Sequence, residues 1–344
     1  MFFTYQIKTK GFNLKENNFY QVEGTLKNKK DNITDISSYT FKKINKIKRN
    51  VTFDRYGRMF VNDELFFPFG IYATDGSEKD LMIINRTRLN IISSSLITKK
   101  KMDKIQETQQ GKIKVIFSLN PLYNLDTRTL TDLNEEENYK TFKGKINEVK
   151  DHPTLLAWYI NDEKPYIYNE IFRNRTLSIH NLDPNHPSYT VTNYPSEFNF
   201  LMNTSDILGL DKYPIGTYPI RYVHSFNDET NYQMLEAKPM IPVVQIFDWA
   251  YHYWNRYGHP EFESAQPSFQ DMLSMSWQAF VAGGKGLVYY GLYELLKMND
   301  ITPFEDCWKD VIELTENIWK YKDVILSIDK VDKIEYTQNL NVTF

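Results

Sequence analysis

Eight short apolar runs, mostly separated by segments of helix length, dominate the middle of this 344-residue chain. The runs are FPFGIYA (67–73), LNIISSSL (89–96), KIKVIFSL (112–119), LLAWYIND (155–162), SYTVTNY (188–194), DILGLDKYP (206–214), MIPVVQIFDW (240–249) and KGLVYYGLY (285–293). Parallel strands that are covered on both faces read as continuous apolar runs, and a closed (β/α)8 barrel has eight of them. A doubly wound open sheet is the competing architecture, but no glycine-rich phosphate loop follows the first run. The pattern therefore predicts a (β/α)8 TIM barrel.

The two ends of the chain read differently from the middle. Residues 1–48 contain strand-like runs, Phe2 to Lys8 and Phe19 to Leu26, that are broken by polar turns and show no helical period. The last residues, KIEYTQNLNVTF, also read as a strand. We therefore expect a partial β-domain or hairpin in residues 1–48, the barrel in residues 49–330 and a strand segment in residues 331–344.

The composition predicts a folded protein without a nucleic-acid partner. A hydrophobic content of 41% is enough to bury a substantial core. The net charge of -3 gives no bulk electrostatic attraction to nucleic acid or to anionic lipid. The basic run KKINKIKRN (42–50) stands alone and has no interleaved aromatic residues, so we interpret it as a solvated linker.

The few cysteine and histidine residues argue against a metal site or cofactor. Cys307 is the only cysteine, which excludes an intrachain disulfide and a site built from several thiolates. The six histidines show no H-x-x-x-H or H-x-H spacing, and no G-x-S-x-G motif is present. We therefore expect neither a metal ion nor a cofactor.

The sequons favour a protein of the secretory pathway. Six N-x-[ST] sites begin at the asparagines at positions 32, 50, 85, 174, 203 and 341. No run approaches the ~20 apolar residues of a membrane span, and the first residues lack the apolar region of a signal peptide. We expect secretion without a membrane span. The sequence leaves the oligomeric state open.

Chemistry in a closed parallel barrel lies at the carboxyl ends of the strands. This rule selects polar and aromatic residues at or just after the ends of the eight runs. They are Asp75, Asn120, Asp162, Glu163, Asn193, Tyr194, Asp211, Tyr213, Gln245, Asp248, Tyr290 and Glu294.

The stretch LLAWYINDEKP (155–165) is the most informative of these places. An uncharged run that contains Trp158 ends in two adjacent carboxylates, Asp162 and Glu163, and Pro165 then stops the strand. Burial raises the pKa of a carboxyl group, and a raised pKa suits a general acid near neutral pH. The alternative is that Asp162 caps the next helix, although two acidic residues are more than capping needs.

Aromatic residues point to carbohydrate as the substrate. The segment FDWAYHYWNRY (247–257), which includes Trp249, follows the seventh run and is dense in aromatic and histidine rings. Such rings form faces on which sugar rings stack, and their polar edges donate hydrogen bonds. The alternative is a lid loop that packs on its own side chains.

Three segments resemble the retaining (β/α)8 glycoside hydrolases of the largest barrel clan, in particular the family-two-like catalytic domains. FDRYGRMFVNDELFFPFGIYA (53–73) resembles their hairpin and first barrel strand. HPTLLAWYINDEKP (152–165) is similar to their fourth strand, and SMSWQAFVAGGKGLVYYGLY (274–293) to the helix and strand at the eighth position. The resemblance implies a glycosidase that acts on oligosaccharide or polysaccharide, with Glu163 as the acid/base.

Two positions depart from the pattern of that clan. Most members have an asparagine immediately before the acid/base, where this chain has Asp162. The nucleophile of the clan is a glutamate at the end of strand seven, where this chain reads VVQIFDW and places Gln245. Asp248 is the nearest candidate nucleophile, with loop capping as its alternative role. Further candidates are Glu261, Glu263 and Glu294.

These departures leave three functional hypotheses. The first is a two-carboxylate glycosidase. The second is a substrate-assisted hydrolase, in which the pair Asp162 and Glu163 acts on an N-acetylated sugar, as the similar pair does in β-hexosaminidases. The third is a degenerate barrel that binds carbohydrate or a protein partner without catalysis. In all three, the expected substrate-binding residues are Asp211, Tyr213, Trp158, Asn193, Gln245, Trp249, Tyr290 and Glu294.

Overall fold

The computed structural model describes residues 13–15, 18–30, 32–42, 49–120, 136–234, 236–250, 252, 263–298 and 303–329. The chain divides into two compact units, residues 1–49 and residues 50–344. The expected strands at Phe2 to Lys8 and in residues 331–344, most of the basic run at 42–50, and Glu261 lie outside the described residues. Among the helices of the described part, none has both the length and the apolar character needed to cross a bilayer.

The first unit contains an antiparallel pair of strands, β1 (Phe19–Lys27) and β2 (Ile33–Lys42). The strand predicted from Phe19 is therefore confirmed. A hydrogen bond from the backbone N–H of Asn28 to the carbonyl of Asn32 closes the turn at 2.9 Å.

The second unit begins with a small antiparallel sheet of β3 (Val51–Phe53), β4 (Met59–Val61) and β5 (Glu64–Phe66). Asn62 and Asp63 connect β4 to β5 with φ angles of 53° and 68°. These two residue types tolerate positive φ better than most, and a tight hairpin with two such residues matches the twist of its strands.

Eight parallel strands close into a barrel in sequence order, which confirms the predicted fold. Each lies within one of the eight apolar runs. They are β6 (Phe69–Tyr72), β7 (Ile91–Ser94), β8 (Lys114–Ser118), β9 (Leu155–Asp162), β10 (Ser188–Thr192), β11 (Ile207–Lys212), β12 (Val243–Gln245) and β13 (Leu287–Tyr290).

Helices follow the strands and cover the outside of the barrel. Among the described residues they are α1 (Glu78–Ile84), α2 (Lys99–Gln109), α3 (Glu136–Val149), α4 (Asn169–Leu182), α5 (Phe198–Leu201), α6 (Tyr222–Gln233), α7 (Phe269–Val281), α8 (Leu292–Lys297), α9 (Phe304–Lys320) and α10 (Lys322–Ile325). Local sequence sets the start of α7, because Ser268 and Asp271 form a reciprocal capping box.

Side-chain alternation separates the inside of the barrel from the layer between barrel and helices. Tyr159 packs inside the barrel, whereas its neighbours Trp158 and Ile160 pack in the outer layer. The pairing of β9 with β10 then slips by one residue, since Tyr189 pairs with Tyr159 but Thr190 pairs with Asn161. This irregularity reverses the alternation of side chains along β9, so the residues after it face the opposite side from the one that regular alternation predicts. As a result Asp162 and Tyr159 meet at the inner end of the barrel, although their spacing alone would put them on opposite sides.

Candidate active site

An open cavity of about 1050 Å³ lies at the carboxyl ends of the barrel strands. This volume is at the upper end of the range for small-molecule sites. All eight strands or the residues just after them contribute to its wall, including Tyr72, Ser93, Ser118, Glu163, Asn193, Asp211, Trp249 and Tyr290. The location is the one that the barrel rule predicted for chemistry.

Glu163 projects into this cavity from a constrained backbone. Its φ is 51°, a left-handed conformation that costs a non-glycine residue about 1–3 kcal/mol and occurs preferentially at functional sites. The backbone N–H of Glu163 donates to the carbonyl of Val191 at 2.9 Å, and the N–H of Lys164 donates to Asn161 Oδ1 at 3.1 Å. Asn193 donates from Nδ2 to Glu163 Oε1 at 3.0 Å. The carboxyl group is therefore held in place, yet the residue remains exposed to the cavity.

Asp162 is oriented by a chain of tyrosine hydroxyls. Tyr72 donates to the Tyr159 hydroxyl at 3.0 Å, and Tyr159 donates to Asp162 Oδ1 at 2.6 Å. Desolvation raises the pKa of Asp162, and the carboxylate of Glu163 raises it further against the opposing effect of the Tyr159 bond. Although the residue is open to cavity water, protein groups surround its carboxyl group, which explains the desolvation.

Asp211 lies deeper, at the end of β11, with 5% of its surface exposed. Its carboxyl group lines the same cavity as that of Glu163, and its buried Oδ1 atom has no hydrogen-bonding partner. Burial raises the pKa of Asp211 well above its usual range, and the neighbouring carboxyl groups of Glu163 and Asp162 add to this effect. Three carboxyl groups therefore meet on the side of the cavity formed by β9 and β11.

Aromatic rings form another part of the cavity wall. The rings of Tyr213 and Tyr290 stack with their centroids 5.5 Å apart, and Phe247 meets both rings edge-on. Trp249 lies 6.0 Å from Tyr213 and donates from its indole N–H to the backbone carbonyl of Tyr213 at 2.9 Å. Rings held in this way present a rigid apolar face with polar edges, which suits a sugar ring.

Glu294 is a fourth carboxyl group in the cavity wall, located after β13 on the other side of the barrel from β9. His252 Nδ1 lies 3.2 Å from Glu294 Oε1, and the Tyr290 hydroxyl donates to the same atom at 3.4 Å. The Oε2 atom of Glu294 is buried and has no hydrogen-bonding partner. The residue is thus anchored through a single oxygen.

Six predicted site residues that the structure describes do not line the cavity: Asp75, Trp158, Tyr194, Gln245, Asp248 and Glu263. Trp158 is fully buried in the outer layer, where its indole N–H donates to Asp183 Oδ2 at 2.8 Å. Asp248 is also buried, and it accepts from the N–H of Ala250 at 2.8 Å and from the Ser264 hydroxyl at 2.6 Å. These contacts make Trp158 a packing residue rather than a substrate-binding residue, and they favour loop capping for Asp248.

Gln245 occupies the strand-seven position where the clan has its nucleophile, and its amide is fully engaged with backbone. Nε2 donates to the carbonyls of Ile215 at 3.0 Å and Phe247 at 2.9 Å, while Oε1 accepts from the N–H of Ile215 at 2.8 Å. The side chain holds two loops together inside the protein. It is not free for a substrate, contrary to the expected binding role.

The other predicted residues converge on the cavity. Asn120, Asp162, Glu163, Asn193, Asp211, Tyr213, Trp249, Tyr290 and Glu294 all contribute to its wall. The cavity is also lined by Tyr72, Tyr159, Lys212 and His252, which the sequence pattern did not single out. The two tyrosines could have been found from strand alternation within the first and fourth runs. The half-buried Lys212 directs its ammonium group to the rings of Tyr218 and Phe226, 4.5 and 4.6 Å from their centroids.

The raised pKa of Asp211 predicts a stability that depends on pH. An unfolded aspartate ionises near a pKa of about 3.9, whereas folded Asp211 keeps its proton to higher pH. Between these two pKa values ionisation favours the unfolded state, so the free energy of unfolding falls as pH rises. Asp211→Asn cannot ionise, and we expect it to raise the free energy of unfolding near pH 7 by about 0.5–2 kcal/mol. Urea unfolding of both proteins across pH 4–7 tests this, and an unchanged pH dependence would contradict it.

No protein-family model and no curated protein matches this sequence. Solved structures do. The chain is similar to a β-glucuronidase of Bacteroides uniformis, with a TM-score of 0.53 and 14% identity, over 81% of this chain and 36% of that one. A putative β-galactosidase of Bacteroides fragilis matches with a TM-score of 0.52 and 13% identity, over 80% of this chain and 42% of that one.

A β-D-glucuronidase of Dictyoglomus thermophilum matches with a TM-score of 0.51 and 15% identity, over 80% of this chain and 58% of that one. The present chain therefore spans about a third to three fifths of the length of these three proteins. This chain shares their barrel fold. The names of all three are those of glycoside hydrolases, the class that the three sequence segments resemble. The sequence identity of 13–15% is too low to infer the substrate of this chain from theirs.

Proposed function

We propose that this barrel hydrolyses an O-glycosidic bond and that Glu163 is the general acid/base. The observation that carries the proposal is the position of its carboxyl group. It lies at the end of the fourth barrel strand, it accepts a hydrogen bond from Asn193, and it faces a cavity walled by tyrosine and tryptophan rings. A carboxyl group held in such a site can protonate the leaving oxygen of a glycoside.

The residues of the cavity support a substrate-assisted route better than a strand-seven nucleophile. The amide of Gln245 cannot act as a nucleophile, and the carboxylate of Asp248 accepts a hydrogen bond from the backbone of its own loop. Asp162 is adjacent to Glu163 and is oriented by the Tyr159 hydroxyl. In this route the carbonyl oxygen of a substrate N-acetyl group attacks the anomeric carbon, Asp162 polarises the amide, and Glu163 protonates the leaving oxygen. Glu294 is the alternative second carboxylate, because it lines the opposite wall.

A panel of aryl glycosides tests both parts of the proposal. Each sugar is offered with and without a 2-acetamido group, and the wild-type protein is assayed for release of the aryl alcohol. We expect turnover, with the N-acetylated members cleaved fastest. Turnover only of sugars without the acetamido group would leave glycoside hydrolysis standing and remove the substrate-assisted route. Absence of turnover on the whole panel would contradict the enzymatic proposal.

A second candidate function is carbohydrate binding without hydrolysis, and Gln245 is the observation that favours it. A glutamine at the strand-seven position, bonded to Ile215 and Phe247, leaves the aromatic wall intact but removes the usual nucleophile. Calorimetry on the same panel discriminates between the two functions. A binding protein would show saturable heat with unhydrolysed sugar, whereas an enzyme would release product.

A further inference from the structure

Lys212 places an ammonium group in the cavity wall between two aromatic rings. It is the last residue of β11 and contributes to the wall of the cavity. Its Nζ atom lies 4.5 Å from the ring centroid of Tyr218 and 4.6 Å from that of Phe226. The negative face of an aromatic ring attracts a cation at this distance. The rings therefore hold the ammonium group at a defined place beside the cavity.

The direction of Lys212 follows from side-chain alternation along β11. Leu208 and Leu210 face the layer outside the barrel, where they pack in one cluster with Phe226 of α6. Lys212 continues this row, because side chains two residues apart on a strand share a face. Asp211, one residue earlier, points to the opposite face. Lys212 therefore does not belong to the group of carboxyl residues that meet inside the barrel mouth.

The rings that hold Lys212 are themselves held in a row. Tyr222 and Phe226 lie four residues apart on α6, with ring centroids 5.5 Å apart, and Tyr218 precedes the helix with its ring 5.8 Å from that of Tyr222. Residues four apart lie on the same side of a helix. The row fixes the ammonium group on its protein side, while Lys212 and Tyr218 meet the cavity on the other.

Lys212 lacks the acceptor that comparable lysines have. Within the described part of the chain, burial lowers the pKa of four lysines. Three of them donate to a backbone carbonyl, namely Lys114 to Pro153 at 2.9 Å, Lys238 to Ser205 at 2.7 Å and Lys285 to Ile325 at 3.0 Å. The fourth, Lys212, donates to no oxygen of a residue that the structure describes.

The charge of Lys212 also lacks a partner. Lys322 on α10 shows the usual arrangement, since its ammonium group lies 5.8 Å from the ring centroid of Trp319 and also pairs with Asp323 at 2.7 Å. No carboxylate among the described residues pairs with Lys212 in this way. A positive charge that is partly removed from water without a partner is costly. An anion in the cavity supplies both the missing acceptor and the missing counter-charge.

We propose that Lys212 is the binding residue of a subsite for an acidic group on the sugar ligand, which is a carboxylate, a sulfate ester or a phosphate ester. The inference rests on the proposed function for the carbohydrate nature of the ligand. A lysine ammonium group is a compact charge with three donors, which suits anions of this kind. A sugar hydroxyl can accept a hydrogen bond from Lys212 but leaves its charge unbalanced. The subsite therefore selects acidic over neutral sugars.

The acidic residues of the cavity limit where the anion binds. Asp211 and Glu163 act on the charge of Lys212, although neither forms an ion pair with it. Their negative charges repel an anion, so the acidic group approaches Lys212 from the side of Thr217 and Tyr218, which also line the cavity. We therefore expect the acidic group on a part of the ligand that lies away from the bond that Glu163 protonates.

Calorimetric titration of the full chain measures the preference. The probes are glucose 6-sulfate, glucose 6-phosphate and glucuronate, each compared with glucose, and the tightest of them identifies the acidic group. We expect at least one acidic probe to bind about tenfold more tightly than glucose, because a hydrogen bond to a charged group contributes this much. The advantage should shrink as NaCl is added, since salt screens a partly exposed charge. Equal or weaker binding of all three acidic probes, or no binding of any, would overturn the inference.

Lys212→Met tests the residue itself. Methionine keeps an unbranched side chain that packs well on aromatic rings but carries no charge. We expect its affinity for the acidic probes to fall to within about twofold of its affinity for glucose. Lys212→Arg, which keeps the charge, should retain the preference. Lys322→Met is the matched control, because Lys322 is a ring-bound lysine that is absent from the cavity wall. A preference that survives in Lys212→Met would overturn the assignment.

Two further measurements separate this inference from folding and from hydrolysis. Thermal unfolding of each variant shows that it is folded, and the comparison of probes on the wild type needs no variant. Acidic probes that bind through Lys212, without turnover on the aryl glycoside panel, would contradict hydrolysis and leave the subsite standing. Turnover on the panel without any preference for acidic probes would have the opposite meaning.

Discussion

Replacing Glu163 by glutamine is expected to lower kcat/KM by about 10²–10⁴-fold on any glycoside with a poor leaving group that the wild type cleaves. Glutamine is nearly isosteric and can keep the contact with Asn193, but it cannot donate a proton to the leaving oxygen. Because the residue is exposed to the cavity, the change should leave the unfolding midpoint nearly unchanged. Steady-state kinetics with thermal unfolding of the same samples provides the measurement.

Glu170→Gln is the control for this variant. Glu170 is an exposed residue in the first turn of α4 and is absent from the cavity wall, so its replacement should change neither activity nor stability appreciably. Unchanged turnover of a poor leaving group by Glu163→Gln would remove the acid/base assignment. Lost turnover together with lost folding would instead make Glu163 a structural residue.

Replacing Trp158 by alanine should destabilise the protein by about 3–5 kcal/mol. The indole is fully buried, packs edge-on against Phe117 with ring centroids 5.8 Å apart, and donates to Asp183. Its removal leaves a cavity between the barrel and the helices and deletes one hydrogen bond of a buried carboxylate. Urea unfolding monitored by circular dichroism measures the loss.

Trp249→Ala is the matched variant on the cavity side. Trp249 is only partly buried, and its ring contacts Tyr213 and Phe247 in the cavity wall. We therefore expect a smaller loss of stability than for Trp158 and a clear loss of carbohydrate affinity, measured by calorimetry. The reverse pattern, in which Trp158→Ala weakens sugar binding and keeps its stability, would contradict the division between packing and binding tryptophans.

The carboxyl cluster has a consequence for stability as well as for chemistry. Asp162 and Asp211 both have raised pKa values, chiefly because burial disfavours their ionised forms. Such groups make the folded state less stable near neutral pH than it would be with neutral side chains. Their presence together in one open cavity, next to the positive φ of Glu163, is typical of a site kept for function rather than for folding.

The sequence by itself determined the barrel and the place of its site. Eight apolar runs became eight strands in order, because parallel strands covered on both faces must be apolar along their length. Residues at the carboxyl ends of those runs, such as Glu163, Asp211 and Tyr290, met in one cavity because closure brings all eight ends together. Both results follow from patterns that are local in the chain.

Only the tertiary structure decided which of these side chains face the cavity and which partners they have. Trp158 faces outward ahead of the slip in the pairing of β9 with β10, and the slip turns Asp162 inward, whereas simple alternation would have put both on one side. The side chain of Gln245 does not reach the cavity because it is hydrogen-bonded to Ile215, thirty residues away in the chain. Asp211 and Glu163 line the same cavity although their strands are separated by β10. Register and long-range pairing are properties of the packed barrel, so no local pattern encodes them.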